Sequence, residues 1–205
     1  DKKNGNTKWK DATDLELGQI DEYETFRNLV HRDNTRAPKG YQRIHVHLVY
    51  SVKHDGRHKA RLVASGNLTG EPPYTAYSGV VNLRNLRLVT FLSQLNKLEP
   101  WGADIGNAYL EARTREKVYI IAGPEFGDRK DHILVIDKAL YGLKTSGAEW
   151  AHRRNECLEQ IGFYRSKADN DIWMRLSPDG KCYEYIAVYV DDLLIAAKDP
   201  ASIIK

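Results

Sequence analysis

The segment Tyr183–Ala197 constrains the fold most, because it is the most β-prone stretch of the chain and two adjacent aspartates interrupt its apolar run. Burying one unpaired carboxylate costs on the order of several kcal/mol, which is comparable with the stability of a whole domain. The pattern therefore predicts a tight β-hairpin with buried strands and with Asp191 and Asp192 at its tip. An ordinary aspartate-containing turn is the alternative that this segment alone leaves open.

A further carboxylate, Asp104, closes a short strand predicted over residues 101–105, and Gly106 and Ala108 keep the next turn free of bulk. If that strand lies beside the hairpin, three carboxylates converge, and a divalent cation would remove their mutual repulsion. Mg²⁺ suits such a site, because it keeps several waters and takes further ligands from substrate phosphates. Two such ions about 4 Å apart form the clamp of phosphoryl-transfer enzymes.

The third informative segment is the approach to a helix predicted over residues 146–162. Gly142 lies between apolar residues there, which permits close approach by a flat ligand such as a base, although an ordinary strand-to-helix turn has the same pattern. Ser146 and Glu149 have the spacing of a capping box, and Gly162 that of a C-terminal stop.

The rest of the pattern predicts an α+β fold with helices packed on one face of an antiparallel sheet. Residues 1–40 are interpreted as polar and irregular, with a helical patch around residues 15–29. Strands are expected at 44–52, 59–64, 117–122 and 132–136, with a hairpin turn at Asp55-Gly56. A helix is expected over 80–98, with Val81, Leu88, Leu92 and Leu95 on one face.

Composition narrows the class of protein. The 205 residues are 41% hydrophobic, with 15 Gly, 7 Pro and 2 Cys, which excludes disordered, collagen-like and disulfide-dense chains. The two cysteines favour a reducing, intracellular setting. No apolar run reaches membrane-spanning length, so no membrane partner is expected. The net charge of +3 permits a polyanionic partner, and the basic cluster at residues 53–61 is either a phosphate contact or a solvated turn.

Four segments of this chain, in this order, resemble the reverse transcriptase of Ty1/copia-type LTR retrotransposons. KARLVA at 59–64 resembles the fingers strand, and DIGNAY at 104–109 resembles the first palm motif. ALYGLK at 139–144 is typical of copia enzymes, and YVDD at 189–192 resembles the YxDD box. YxDD alone is a weak signal, but the four together are highly specific, and the resemblance covers residues 40–198.

The resemblance implies a right-hand polymerase fold. Fingers are expected at 41–78 and 117–149, palm at 79–116 and 150–205, and an N-terminal leader at 1–40. The palm is expected to be truncated, without a thumb or RNase H. Those domains and an integrase are expected in the remainder of the parent polyprotein. Such an enzyme is expected inside the cell, in the cytoplasm, within virus-like particles, or in the nucleus.

The resemblance also implies the activity and the metal. An RNA-directed DNA polymerase adds dNTPs to the 3′-OH of a template–primer of RNA or DNA. Asp104 and Asp191 would bind two Mg²⁺ ions, for which Mn²⁺ would substitute, and the Ile105 carbonyl would be a further ligand. Asp192 would support this catalytic site as a partial or outer ligand.

Five residues are implied to bind the nucleotide. Tyr109 would be the steric gate against ribonucleotides, with a core tyrosine as the alternative. Arg61 and Lys59 would contact the triphosphate, and which of them faces inward depends on strand register. Tyr141 and Gly142 would face the incoming nucleotide.

Four further residues are expected to contact nucleic acid. Lys144, Arg153 and Arg154 would bind backbone phosphates, although simple surface charges are the alternative, and Tyr189 belongs to the same set. Glu149 departs from the family, which often has arginine near this position, and Ser65 stands where many members have a basic residue.

Two other functions remain open from the residues. One is a catalytically inactive nucleic-acid-binding remnant or co-opted domain, which would bind without needing Mg²⁺. The other is a metal-dependent phosphodiesterase, which uses the same carboxylate chemistry but also needs a residue that activates water.

Overall fold

The computed structural model describes residue 3, residues 5–72 and residues 74–204 of the chain. The helices are α1 Lys8–Glu22, α2 Leu83–Leu95, α3 Ser146–Gln160 and α4 Ala201–Ile204. The strands are β1 Phe26–His31, β2 Gln42–Arg43, β3 Val46–Val52, β4 His58–Ala64, β5 Glu99–Asp104, β6 Val118–Ile121, β7 His132–Ile136, β8 Tyr164–Arg165, β9 Ile172–Leu176, β10 Tyr183–Tyr189 and β11 Asp192–Ala197.

The described residues form two compact units. Unit 1 comprises residues within 1–76 and 109–150, and unit 2 comprises residues within 77–108 and 151–205. The mixed α and β content with antiparallel pairing confirms the predicted class at this level. No helix in the described part of the chain combines the length and the apolarity that a membrane crossing requires.

Unit 1 contains two small sheets around one apolar core. Strands β1, β7, β6 and β2 form a four-stranded sheet in that order, in which β2 and β6 are parallel and the other pairs antiparallel. Strands β3 and β4 form the predicted hairpin around Asp55-Gly56. Their core residues, each at most 5% exposed, include Ile20, Leu62, Ile120, Leu134 and Leu140.

The N-terminal stretch is more ordered than its polarity predicts. Ile20 of α1 is buried in the core of unit 1, and residues 26–31 pair with β7, with Phe26 opposite Ile136. The predicted helical patch is therefore wrong beyond Glu22. Pairing with β7 satisfies the backbone of residues 26–31, and such tertiary contacts override a weak helical pattern.

Unit 2 is built on a five-stranded antiparallel sheet with the order β5-β11-β10-β9-β8. Helix α2 packs on one face, where Val89 joins Ala187 in an apolar cluster. Helix α3 packs on the other face, where Leu158 joins Ile186. Since adjacent strand residues point to opposite faces, the prediction of helices on a single face is wrong for this sheet.

The buried face of α2 also differs from the predicted one. Leu88 and Leu95 are 47% and 66% exposed, whereas Val89 and Ser93 are buried. Both sets have helical spacing, so periodicity could not choose between them. The smaller side chains face the sheet, and the Ser93 hydroxyl donates to the Leu98 carbonyl at 3.0 Å, which satisfies its buried oxygen.

Candidate functional site

The aspartate hairpin has the predicted form. Tyr189 of β10 pairs with Asp192 of β11, so Val190 and Asp191 form a two-residue loop. Val190 has a φ of +58°. Two-residue hairpin loops favour positive φ at this position, but a β-branched residue rarely adopts it. The turn therefore holds local strain.

Strand β5 places Asp104 beside this hairpin. Asp104 and Asp192 are directly opposite each other in the antiparallel β5–β11 pair, and both are exposed. The Ile105 amide donates to the Asp191 carbonyl at 3.0 Å. The predicted adjacency of the two segments is thus confirmed, but the strand partner of Asp104 is Asp192, and Asp191 lies in the adjoining turn.

Strand register supplies one opposed pair of carboxylates, Asp104 and Asp192. Within the described residues, no cluster of three or more His, Cys, Asp or Glu side chains is arranged to hold a metal ion. The convergence of all three carboxylates on a metal therefore stays a prediction. That pair still fits Mg²⁺, which binds to one or two carboxylates and completes its shell with waters and substrate phosphates.

A cavity of about 560 Å³ opens beside the opposed pair in unit 2. Its walls come from the start of α2 and from β5, β10 and β11, and most of its lining is apolar. Asp104, Asp192 and Tyr189 contribute its polar groups. Tyr189 is 55% exposed, so its ring is accessible to a ligand in this cavity.

Arg154 does not lie where the sequence predicted. It is only 4% exposed, so the expected contact with a nucleic-acid phosphate is wrong. Its Nη1 donates to the Val190 carbonyl at 3.2 Å, and burial lowers the pKa of its guanidinium. Arg153 does lie on the surface, where it forms an ion pair with Glu156 at 3.7 Å.

In unit 1, three of the five predicted nucleotide-binding residues meet. The rings of Tyr109 and Tyr141 are 4.7 Å apart, and the Arg61 guanidinium carbon lies 5.5 Å from the centre of the Tyr141 ring. Arg61 and Lys59 alternate with buried residues along β4, so they share one face of the strand. The Arg61 Nε is buried without a hydrogen-bond partner among the described residues.

Gly142 has a different neighbour from the predicted base. The Ala64 amide donates to the Tyr141 carbonyl at 2.7 Å, which draws this loop onto the end of β4. Gly142 has a φ of +91°, and a Cβ there would clash with the Ala64 carbonyl and lie 2.8 Å from Val63 Cγ1. The glycine permits close approach of the chain's own backbone, and since Gly142 is exposed, its contact with a nucleotide stays a prediction.

The side chain of Lys144 bonds to backbone carbonyls of its own chain. Its Nζ donates to the Thr69 carbonyl at 2.6 Å and to the Gly70 carbonyl at 3.3 Å. The ammonium group therefore closes the turn that follows β4, and since Lys144 is exposed, the expected contact with a phosphate stays a prediction.

Glu149 forms an ion pair with Arg115 that the sequence did not predict. This buried carboxylate accepts hydrogen bonds from Arg115 Nε at 2.8 Å and from the Tyr74 hydroxyl at 3.0 Å. The Arg115 guanidinium lies 4.1 Å from the centre of the Tyr74 ring, and burial raises the pKa of that tyrosine. In the sequence, the one sign of this arrangement was that Glu149 stands near a position where the family often has arginine.

The predicted capping box at the start of α3 is wrong. Glu149 is engaged elsewhere, and Glu116 accepts hydrogen bonds just before the helix from the Thr145 amide at 3.0 Å and from the Thr145 hydroxyl at 2.7 Å. The Ser146 hydroxyl donates instead to the Leu140 carbonyl. A carboxylate at this end is favourable, since helix N-termini carry partial positive charge.

Comparison with known proteins tests the resemblance. Residues 25–205 match the sequence profile of a family described as Reverse transcriptase (RNA-dependent DNA polymerase). The chain belongs to this family. The matched range includes all the segments that carry the predicted site.

Similar proteins place this reverse transcriptase region among the Ty1/copia type. It is 33% identical over 148 residues to the Retrovirus-related Pol polyprotein from transposon RE1 of Arabidopsis thaliana, covering 70% of this chain and 10% of that protein. It is 30% identical over 154 residues to the Transposon Ty1-LR2 Gag-Pol polyprotein of Saccharomyces cerevisiae, covering 74% and 8%. The aligned part is thus about a tenth of these relatives' length.

Proposed function

We propose that this reverse transcriptase region catalyses RNA-directed DNA synthesis, adding dNTPs to the 3′-OH of a primer, as part of a copia-like polyprotein. One observation carries the proposal: Asp104 and Asp192 are opposed at the ends of neighbouring strands, with Asp191 in the turn that joins β10 to β11. Like charges directly opposite each other on paired strands are destabilising, and a bound cation would remove that repulsion.

Unit 2 would act as the palm and unit 1 as the fingers. Unit 2 holds the aspartates, and unit 1 holds the cluster of Arg61, Tyr109 and Tyr141. The expected fingers, at 41–78 and 117–149, fall almost entirely within unit 1. Residues 109–116, expected in the palm, group with unit 1, as does α1 of the expected leader.

Asp104 and Asp191, with the Ile105 carbonyl, would hold two Mg²⁺ or Mn²⁺ ions, and Asp192 would support them. When bound, the ions would activate the primer 3′-OH and stabilise the leaving pyrophosphate. Strand register fixes the spacing between Asp104 and Asp192, so the protein contributes a preorganised edge. Catalysis of this kind depends on positioning and charge rather than on a covalent intermediate.

The remaining site residues would bind the two substrates. Arg61, with Lys59 on the same strand face, would contact the triphosphate, because a guanidinium matches phosphate oxygens with paired donors. Tyr109, held against Tyr141, would block a 2′-OH. In unit 2, Tyr189 and the neighbouring cavity would receive the primer end, and Arg153 would contact a backbone phosphate.

The partners of this region would be a template–primer of RNA or DNA, dNTPs, and the rest of the Pol polyprotein. A thumb, an RNase H domain and an integrase would be supplied by that polyprotein. The expected setting is the cell interior, within virus-like particles or the nucleus.

Primer extension on an RNA template with Mg²⁺ or Mn²⁺ tests the proposal. The 205-residue chain and the longer Pol polypeptide that contains it would be compared, each with an Asp191→Asn variant. We expect Asp191→Asn to reduce incorporation by about 10³-fold or more, since it removes a metal-binding charge. Asp199→Asn, at an exposed aspartate beyond β11, is the matched control and should leave incorporation unchanged.

Three outcomes separate the functions. Extension that is lost only in Asp191→Asn supports the polymerase and its metal site. Salt-dependent nucleic-acid binding without extension by either polypeptide would instead indicate an inactive remnant. Cleavage of the template or primer without dNTPs would indicate a phosphodiesterase.

A further inference from the structure

Another cavity lies in unit 1, in a part of the chain that the proposed polymerase does not use. Its volume of about 450 Å³ is within the range of roughly 300–1,000 Å³ that is typical of small-molecule sites. Its walls come from the end of α1, the start of β1 and the segment that follows β7. Arg61, Tyr109 and Tyr141 of the proposed nucleotide site are not among the described residues that line it.

The described lining of this cavity contains four cations and three carboxylates, and part of this charge is balanced internally. Arg27 donates from Nε and Nη2 to the two carboxylate oxygens of Asp137, at 2.9 and 3.3 Å. Arg129 Nη2 donates to Asp21 Oδ2 at 2.7 Å. Two cations and one carboxylate of the lining are outside these pairs: Arg113, Lys138 and Glu24.

The two remaining cations are directly opposite each other. Arg113 and Lys138 form an antiparallel bridge. The amide–carbonyl bonds of this bridge join the residues on either side of them, at 2.9 and 3.2 Å. Arg113 and Lys138 are therefore a non-hydrogen-bonded pair, which is the arrangement in which opposed side chains are closest and share one face.

Like charges in this arrangement repel each other, and a cross-strand pair of like charge is destabilising. Within the part of the chain that the structure describes, no ion pair joins Arg113 or Lys138 to a carboxylate, since the neighbouring Asp137 and Asp21 are paired with other arginines. A bound anion would remove the repulsion between the two cations.

The chemistry of the two cations indicates the kind of anion. A guanidinium presents paired donors that match phosphate oxygens, and an ammonium adds a compact point charge. A phosphate monoester carries a charge of roughly −1.5 to −2 near pH 7, so it balances both cations. One carboxylate or one phosphodiester group carries a single charge and would balance only one of them.

Two features at the end of α1 oppose an anion, and both are weakened. The Glu24 carboxylate is exposed, so solvent and salt screen its charge. The last carbonyls of the helix are bonded within its own end, because the Thr25 amide donates to the Ile20 carbonyl and the Glu24 amide to the Asp21 carbonyl, each at 3.0 Å. The opposed cations therefore dominate the recognition of a ligand.

We propose that this cavity binds a phosphate monoester, which Arg113 and Lys138 hold. A free nucleoside monophosphate and the 5′-terminal phosphate of a nucleic-acid strand both present this group. The inference does not rest on the proposed function, because its residues lie in unit 1 and the three aspartates of the hairpin edge lie in unit 2.

Two RNA strands of one sequence test the proposal, one with a 5′-phosphate and the other with a 5′-hydroxyl. Fluorescence anisotropy of the 3′-labelled strands measures their binding to the 205-residue chain in a buffer without divalent cations. We expect the phosphorylated strand to bind about 10-fold more tightly or better, since only its terminal group accepts the extra charge-assisted hydrogen bonds. Calorimetry with adenosine monophosphate tests the free source.

Removal of both cations should abolish the preference. In Arg113→Gln combined with Lys138→Gln, the two strands should bind equally and adenosine monophosphate should no longer bind. Arg36→Gln combined with Lys39→Gln is the matched control, because it removes the same charge from exposed positions of unit 1 outside the described lining. The control should retain the preference.

A third substitution should act in the opposite direction. Glu24→Gln removes the carboxylate that opposes the anion, so it should strengthen the preference by about 2-fold or more. A cavity with a purely structural role would not give effects of opposite sign. If the double variant does not fold, Lys138→Gln alone replaces it and should reduce the preference by about 10-fold.

The outcomes separate the two sources of the phosphate group. A preference for the phosphorylated strand without binding of adenosine monophosphate supports the site and assigns it to strand ends. Binding of adenosine monophosphate without that preference supports the site and assigns it to free nucleotides. Equal binding of both strands by the wild-type chain, with no binding of adenosine monophosphate, overturns the proposal, as does a preference that the double variant retains.

Two further variants distinguish this cavity from the proposed polymerase site. Asp191→Asn, which is expected to stop primer extension, should keep the preference, so the two proposals can fail separately. Arg61→Met should keep it as well. If Arg61→Met abolished the preference, the phosphate would bind at the proposed nucleotide site, and the cavity would lose its role.

Discussion

The aspartate hairpin of unit 2 and the nucleotide cluster of unit 1 are assembled in different ways. In unit 2, two antiparallel strand pairs bring Asp104, Asp191 and Asp192 to one edge. In unit 1, Arg61 comes from a strand, Tyr109 from a 3₁₀ turn and Tyr141 from a loop that crosses the end of β4. The register of paired strands positions the aspartates of unit 2. Close packing of a loop against a strand positions the cluster of unit 1.

This difference predicts different consequences of substitution. Changes at the hairpin should affect turnover, because its aspartates are the residues proposed to act on the reacting groups and they contribute little to a core. Changes in the cluster should affect stability, nucleotide affinity or sugar selection, since each residue there also packs against its neighbours. Asp191→Asn is expected to reduce incorporation. Three variants of unit 1 test whether substitutions there have the different effects expected of the cluster.

Gly142→Ala should give the largest effect on stability. The alanine Cβ would clash with the Ala64 carbonyl, and the φ of +91° is already unfavourable for alanine. Together these costs amount to roughly 2–5 kcal/mol of unfolding free energy, measured by urea denaturation. Gly56→Ala is the matched control, since Gly56 also has positive φ but nothing lies within 4 Å of its Cβ position, so it should lose only about 1 kcal/mol.

Equal losses for the two glycine variants would contradict the close approach of the loop to β4. If Gly142→Ala instead raised the dNTP KM with little change in stability, the glycine would face the nucleotide, as the sequence first indicated.

Arg61→Met should weaken nucleotide binding. A charge-assisted hydrogen bond is worth about 1.5–3 kcal/mol, so we expect the dNTP KM to rise by about 10–100-fold with a smaller change in kcat. Steady-state primer extension measures both constants. Arg57→Met is the control, because Arg57 is exposed at the hairpin tip and pairs with Asp55.

If Arg61→Met lowered kcat alone, Arg61 would act in turnover, as is proposed for the aspartates of the hairpin. Arg61 would then stabilise the transition state rather than the bound triphosphate.

Tyr109→Ala should have the smallest effect, confined to sugar selection. Removing the ring would admit a 2′-OH, and the preference for dNTP over rNTP should fall by about 10-fold or more. Competing incorporation of the two nucleotides measures that ratio, with Tyr77→Ala, at a tyrosine that is 79% exposed, as the control. Unchanged discrimination with lower stability would make Tyr109 a core residue that supports Tyr141.

The sequence predicted much of the local structure, for physical reasons that the particular elements show. The hairpin at Asp191 was predictable because an apolar β-rich run cannot bury two carboxylates. The turn at Asp55-Gly56 and the bounds of β6 and β7 followed from breakers and β propensity, which act over a few residues, whereas β5 begins two residues before the predicted strand. The buried face of α2 was not predictable, because two sets of residues had the same helical spacing.

The sequence named candidate site residues but not their contacts. The four motifs identified the family, and they named the candidate aspartates because the proposed chemistry requires those residue types at those positions. The register that opposes Asp104 to Asp192, the engagement of Lys144 by Thr69 and the pairing of Glu149 with Arg115 depend on residues distant in sequence. No local pattern encodes those distances.

The sequence by itself determined that two aspartates had to sit at an apolar hairpin tip and that the chain is a copia-type reverse transcriptase. Only the tertiary structure decided where Arg154 lies. On the surface of α3 it would be one more solvated cation, and buried behind the turn it bonds to the Val190 carbonyl. Burial is a property of how α3 packs on the sheet, and a helical residue's own neighbours in sequence do not fix that packing.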